Sequence, residues 1–284
     1  MKTTHSARIR LVIVLSIVAL FISGCSASGG PGKGKPAEER ERVRVSGSGT
    51  CLPLLEILTK EYGNDRVDFV YLPGLHSGGG IKGVANGDLE IGAVSRELTD
   101  EEKALGLDYT LISNDGLVVA VHPSVTIDGL TTQQVKDIYS GKYSNWAQLG
   151  GPDIPITILD RNEDESAKII LRKYVLGTDL KITPKAVNLY YEPDMIEGLQ
   201  STVGAIGYFS LGYGLSQDVP VRYLALDGVE ASVENIKSGK YKIVRPLGIV
   251  TRSDVSAEVR RFLQWATSDE ALALIESQGY AAAR

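Results

Sequence analysis

VRVSGSGTCLPLLEILTKEY, residues 43–62, holds three signals in twenty residues. Val43-Arg44-Val45 alternates like a half-buried strand, and Ser46-Gly47-Ser48-Gly49-Thr50-Cys51 is a turn. Leu52 to Tyr62 then carries Leu54, Leu55 and Leu58 at helical spacing. Strand, glycine-rich turn and helix form the repeating unit of α/β proteins. The unit recurs downstream. Asp68 to Leu72 reads as a strand, Gly74 to Gly80 as a turn and Ile81 to Asn86 as a short helix. Glu90 to Val94 is a third strand, followed by Ser95-Arg96-Glu97. Leu117 to Val121 is unbroken apolar, the pattern of a buried strand. Helices are expected at Thr132 to Tyr139 (with a Thr cap), Ser166 to Val175, Ile196 to Thr202, Val233 to Ser238, Val255 to Thr267 and Asp269 to Gln278. The alternation predicts an α/β fold with mostly parallel sheets.

The three turns lie after strands and before helices, where open α/β sheets bind ligands. Glycine lets the backbone approach a ligand, and Ser48 and Thr50 add hydroxyl donors. Helix N-termini supply N–H groups and a positive dipole end, which suit phosphate, sulfate or carboxylate. A single such turn is more often only a tight turn. A dinucleotide fingerprint fails, because Leu52 stands where its third glycine belongs. Arg96 taken alone reads as a surface charge, His76 as an exposed turn residue, and Cys51 as a small buried residue whose amide matters more than its thiol.

Outward from these units, Ser26 to Arg42 is rich in glycine, proline and charge and reads as a tether. Its Gly29-x4-Gly34-Lys35 is no P-loop, since Pro36 replaces the magnesium-binding hydroxyl and no strand precedes it. Residues 1–24 carry Lys2, Arg8 and Arg10, then the apolar run Leu11 to Ile22, about a dozen residues and too short to span a bilayer. This is a secretory signal, and Ile22-Ser23-Gly24-Cys25 resembles a lipobox, which implies lipidation of Cys25 and an extracytoplasmic, membrane-anchored protein. Cleavage there takes the formal net charge from −5 to −8. That acidity argues against nucleic acid and requires an anion site to be built locally. Cys51 then has no disulfide partner, and the three histidines and two cysteines lack metal-ligand spacing, so neither metal nor cofactor is expected. There is no GxSxG elbow and the histidines are scattered, which argues against a hydrolase.

Taken together, SGSGT…P (46–53), HSGGGIKGVANGDLEIGAVSREL (76–98), TTQQVKDIYSGKYSNWAQLGGPDIPI (131–156), GAIGYFSLGY (204–213) and FLQWATSDEALALIESQGY (262–280) resemble the phosphate-binding proteins of phosphate ABC importers. The likeness runs in order from about Val43 to Tyr280. It implies a two-lobe type II periplasmic-binding-protein fold, with 43–116 plus 245–284 as lobe 1 and 117–244 as lobe 2. It further implies a monomer that captures phosphate or a related oxyanion and delivers it to permease subunits, with no chemistry of its own. The family's anion contacts carry over onto Thr50, Cys51 and Leu52, onto Ser77 and Gly78 of the glycine-rich loop, and onto Ser95 and Arg96. In the second lobe the family's Arg-Gly-Ser-Gly-Thr clamp is altered to Arg161-Asn162-Glu163-Asp164-Glu165-Ser166. Arg161 matches, Ser166 takes the hydroxyl role if one residue is inserted, and Asp164 is placed as a helix N-cap. Three readings stay open: the acids point outward, one carboxylate accepts a hydrogen bond from a protonated phosphate oxygen, or the ligand is another anion. An anion-sensing module using the same cleft is the alternative to import.

Overall fold

A computed structural model describes residues 40–283; the expected signal segment, the expected lipidation site Cys25 and most of the expected tether lie outside them. Eight of the ten strands of the main sheet form its continuous path: β1 Glu41–Gly47, β2 Val67–Tyr71, β3 Ile91–Val94, β4 Asp108–Val121, β5 Thr157–Arg161, β6 Val187–Leu189, β7 Ala205–Ser210 and β8 Val244–Thr251. They lie side by side in the order β2-β1-β3-β8-β4-β7-β5-β6. The outer pairs, β1 with β2 and β3, and β5 with β6 and β7, are parallel. The centre is antiparallel, because β8 runs back along β4 and β4 pairs with β7.

β4 is the organising strand. Its fourteen residues pair with β8 over Asp108–Gly116 and with β7 over Leu117–Val121. The apolar run predicts only the second half. The first half, DYTLISNDG, is mixed in polarity and carries no clear strand signal in the sequence. Two large apolar cores flank this strand. One gathers Val43, Val45, Leu54, Ile91, Phe262 and Ile275, and the other Leu117–Val121, Trp146, Leu159, Met195, Tyr208 and Phe209. The chain therefore has two α/β halves joined by the paired strands β4 and β8.

Local chemistry explains the elements around the first turn. The helix Leu52–Tyr62 starts with proline in its first turn and ends at Gly63 in the left-handed region, φ 56°. β1 begins at Glu41, inside the expected tether, because Arg44 locks onto Glu90 with Nη2–Oε1 at 2.6 Å and sets β1 beside β3. Gly47 closes β1 at φ 136°, where a Cβ would sit 2.2 Å from the Ala93 carbonyl oxygen. The following helix spans His76–Asn86, five residues longer than expected. Its first turn is Ser77-Gly78-Gly79-Gly80, poor helix formers chosen for close packing: a Cβ on Gly80 would lie 2.9 Å from Gly47 Cα. Packing overrides propensity here. In the second half, the helix expected at 166–175 is α-helical only over Ser166–Leu171 and widens to a π turn over Arg172–Leu176. The helix expected at 196–202 spans Glu192–Ser201, with Pro193 in its first turn.

Candidate functional site

A cavity of about 240 Å³ opens where the carboxyl ends of β1, β3 and β5 face one another. Of the expected contact residues, Ser48, Thr50, Ser77, Gly78, Arg96, Arg161 and Ser166 line it. Cys51, Leu52 and Ser95 do not. The amides of Cys51 and Leu52 are turned inward, each donating to the Ser48 carbonyl at 3.0 Å. The Cys51 thiol is fully buried near Gly248 O, and burial pushes its pKa up to about 12, so it is an inert core group.

Ser95 is buried beneath the cavity and links its two sides. Ser48 Oγ donates to Ser95 Oγ at 2.8 Å, and Ser95 N donates to Ser77 Oγ at 3.1 Å. Ser95 Oγ in turn donates to Ser166 Oγ at 3.0 Å, seventy-one residues away and in the other half. Four hydroxyls thus form one chain across the cleft. Hydroxyls donate or accept by rotation, so such a chain can re-aim its hydrogens toward an incoming anion without moving heavy atoms.

Both expected arginines are already engaged. Arg96 forms a fork with Glu102 at 2.6 and 2.8 Å, a pairing that raises the guanidinium and holds the Glu102 carboxyl below its ordinary range. Arg161 Nη2 donates to Glu165 Oε2 at 2.8 Å and to the Tyr190 carbonyl at 3.0 Å, while its Nε is buried with no hydrogen-bond partner. Beneath Arg161, the fully buried Lys168 holds Asp160 at 2.7 Å. Tyr208 Oη donates to Asp160 at 2.8 Å and accepts from Arg161 N at 3.0 Å, which fixes the backbone that presents the guanidinium.

The acidic stretch divides. Glu163 turns away to Arg172, at 2.6 and 2.8 Å, whereas Asp164 and Glu165 line the cavity. Asp164 is not the N-cap. The helix begins one residue later, Glu165 occupies the cap position in extended conformation, and no side chain caps it. The correction follows from the Arg161–Glu165 pair, which pulls Glu165 back toward the strand end. His76 lies at the cavity with 69 % of its side chain exposed and Nδ1 3.4 Å from Glu165 Oε1. Its φ of 57° is a strained value for a non-glycine residue.

Sequence reading misses Tyr190, Tyr191, Glu192 and Pro193, from the corner between β6 and the helix Glu192–Ser201, and Ile169. The usable signal was Glu-Pro-Asp at 192–194, a helix start that places 190–192 beside a strand end. Glu192 is nearly buried. Its Oε1 accepts from Ser210 N at 3.3 Å, and its Oε2 lies 3.7 Å from Arg245 Nη2. Arg245 in turn is paired with Asp115, its register partner across β8 and β4, at 2.9 and 3.0 Å.

Residues 34–270 match the family model described as a PBP superfamily domain. Among curated proteins, the chain is 28% identical over 244 residues to the phosphate-binding protein PstS of Borreliella burgdorferi, covering 82% of this chain and 87% of that one. It is 26% identical over 241 residues to the PstS of Bacillus subtilis, covering 82% and 78%. Among solved structures, it superposes on a substrate-binding protein from Clostridium perfringens crystallised with bound phosphate, with TM-score 0.75, 29% identity and coverage of 86% and 100%.

Proposed function

The chain belongs to the PBP superfamily, and on that premise we propose that it captures phosphate in the cleft between its halves and delivers it to an ABC importer. The observation that carries this reading is the chain of serine hydroxyls from both halves that meets Arg161 at one cavity. An anion there gains hydrogen bonds from both sides of the cleft at once. Each hydrogen bond to a charged oxygen is worth about 1.5–3 kcal/mol, so a few suffice for micromolar affinity or better. The names of the phosphate-binding relatives support phosphate as the ligand.

Within this reading the contacts are Ser48, Thr50, Ser77, Gly78, Arg161 and Ser166, with Arg96 at the rim and Ser95 acting through the other hydroxyls. Lobe 1 comprises 43–116 plus 245–284 and lobe 2 comprises 117–244, a division supported by the two apolar cores. The protein is a monomer, held on the extracytoplasmic membrane face by lipid on Cys25, and it performs no chemistry. A different small anion is the second reading, favoured by Asp164 and Glu165 at the cavity wall, where the family's clamp has glycine and hydroxyl residues.

Calorimetric titration of ligand-stripped protein with phosphate, sulfate and molybdate tests this. Micromolar or tighter binding of phosphate is expected, weakened at least tenfold by Arg161→Ala. Silence toward phosphate with binding of another oxyanion would establish the second reading.

A further inference from the structure

The cavity that gathers the serine hydroxyls and Arg161 does not end at its own wall. Gly49, Glu192 and Pro193 also line a second, more open groove of about 430 Å³. Gly49 is exposed at this shared edge, and a Cβ built on it would meet nothing within 4 Å. The two spaces adjoin, and a ligand can lie across both. An inorganic phosphate has five heavy atoms and needs roughly the room of two or three waters, about 60–90 Å³. It leaves part of the first cavity, of about 240 Å³, and all of the second unused.

The groove is built from both halves of the molecule. Pro53, Glu56, Ile57 and Lys60 form one face of the helix Leu52–Tyr62, opposite the core face of Leu54, Leu55 and Leu58. Tyr213 and Gln217 come from the helix Leu211–Ser216 and its C-terminal end. The chemistry differs from that of the first cavity. Tyr213 and Ile57 are half-buried and offer a ring and an aliphatic surface, whereas Glu56, Lys60 and Gln217 are exposed. Neither Glu56 nor Lys60 has an ion-pair partner among the described residues. One cation and one anion side by side give no preference for a second charged group. A ring beside free donors and acceptors suits a group with carbon faces and several hydroxyls.

Resting on the reading of the first cavity as a phosphate site, we propose that the protein also takes phosphate monoesters of small polyols, with the phosphoryl group in that cavity and the polyol in the groove. A monoester keeps three unesterified oxygens for the hydroxyls of Ser48, Ser77 and Ser166 and for Arg161, all of which line the first cavity. Its fourth oxygen carries the carbon chain, which needs an exit, and the open space at Gly49 supplies one. Lys60 and Gln217 then donate to polyol hydroxyls, and Glu56 accepts from them. Because the two walls of the groove belong to different halves, a polyol there is held from both sides, as the phosphoryl group is.

Calorimetric titration of the ligand-stripped full chain with glycerol 3-phosphate, methyl phosphate and inorganic phosphate tests this. Methyl phosphate is the reference, a monoester with nothing to place in the groove. Glycerol 3-phosphate is expected to bind about tenfold more tightly than methyl phosphate, the gain from two or three added hydrogen bonds. The double variant Lys60→Ala with Gln217→Ala changes two exposed side chains that lie outside the first cavity. It should bring the two esters to within about twofold of each other and leave the Kd for inorganic phosphate unchanged. Inorganic phosphate binding without any advantage of glycerol 3-phosphate over methyl phosphate overturns the proposal and leaves the phosphate reading intact. An advantage that survives the double variant also overturns it, because the polyol then lies elsewhere. If none of the three ligands binds, both readings fail.

Discussion

Lys168 is a lysine with no exposed surface, four residues from the exposed, acidic 163–164 turn of the proposed site. In the sequence it looks like an ordinary helix-surface charge. Its partner Asp160 sits at the end of β5, in a strand the apolar pattern did not predict, so the pair was invisible before the fold was known. Both charges are desolvated, and removing one leaves the other stranded. Lys168→Met should therefore cost about 3–5 kcal/mol of unfolding free energy. The double change Asp160→Leu with Lys168→Met should recover only part of that loss: matched apolar replacement of a buried pair is often nearly neutral, but here Tyr208 Oη also loses its acceptor. Urea unfolding of the three proteins measures both effects. A Lys168→Met protein as stable as wild type would mean that the buried pair contributes no net stability.

The glycine-rich helix His76–Asn86 carries the element-scale lesson. Glycine is read from sequence as turn, and Gly74 to Gly80 reads as one, yet the chain is helical from His76. The need that selected glycine is tertiary: Gly80 packs against the backbone of Gly47, Ser46 and Ala93, so that Ser77 Oγ reaches Ser95 N. Helix propensity alone predicts that Gly80→Ala stabilises by about 1 kcal/mol. The Cβ would meet the backbone at 2.9–3.3 Å, and backbone cannot swing aside as a side chain can. Gly80→Ala should instead destabilise by about 1–3 kcal/mol and weaken anion binding, as the helix lifts and carries Ser77 with it. Gly49→Ala is the control for stability alone, since a Cβ there meets nothing within 4 Å but Gly49 lines the cavity. Thermal melts of both variants, with titrations of Gly80→Ala, separate packing from propensity. The same contrast shows what the sequence could reveal. Strands and helices with clean periodicity, such as Leu52–Tyr62 and Leu117–Val121, were legible. The polar half of β4, the site corner at Tyr190–Glu192 and the hydroxyl chain through Ser95 depend on long-range pairing, which leaves no local pattern.

For the molecule as a whole, two sets of carboxyls set opposing limits on stability with pH. Glu102, bonded to Arg96, and Glu163, bonded to Arg172, are held below their ordinary range. Their contribution is present above the unfolded carboxyl pKa of about 4.3 and is lost as pH falls through the lower folded values. Glu192 and Asp115 are pushed up by burial, against the pull of Arg245. For such groups the folded state binds more protons than the unfolded chain, so their contribution is complete below the unfolded value and is lost as pH rises through the folded one. Stability of the ligand-free protein should consequently pass through a maximum on the acidic side of neutrality. Glu192→Gln has nothing to ionise, so its stability relative to wild type should increase as pH is raised from 5 to 9, as followed by urea unfolding at each pH. Phosphate adds a stabilisation that depends on its own concentration, about 2.7 kcal/mol at a hundred times Kd. A constant difference between the two ligand-free proteins across that range would show that folding does not shift the Glu192 carboxyl, and that Arg245 offsets the cost of its burial.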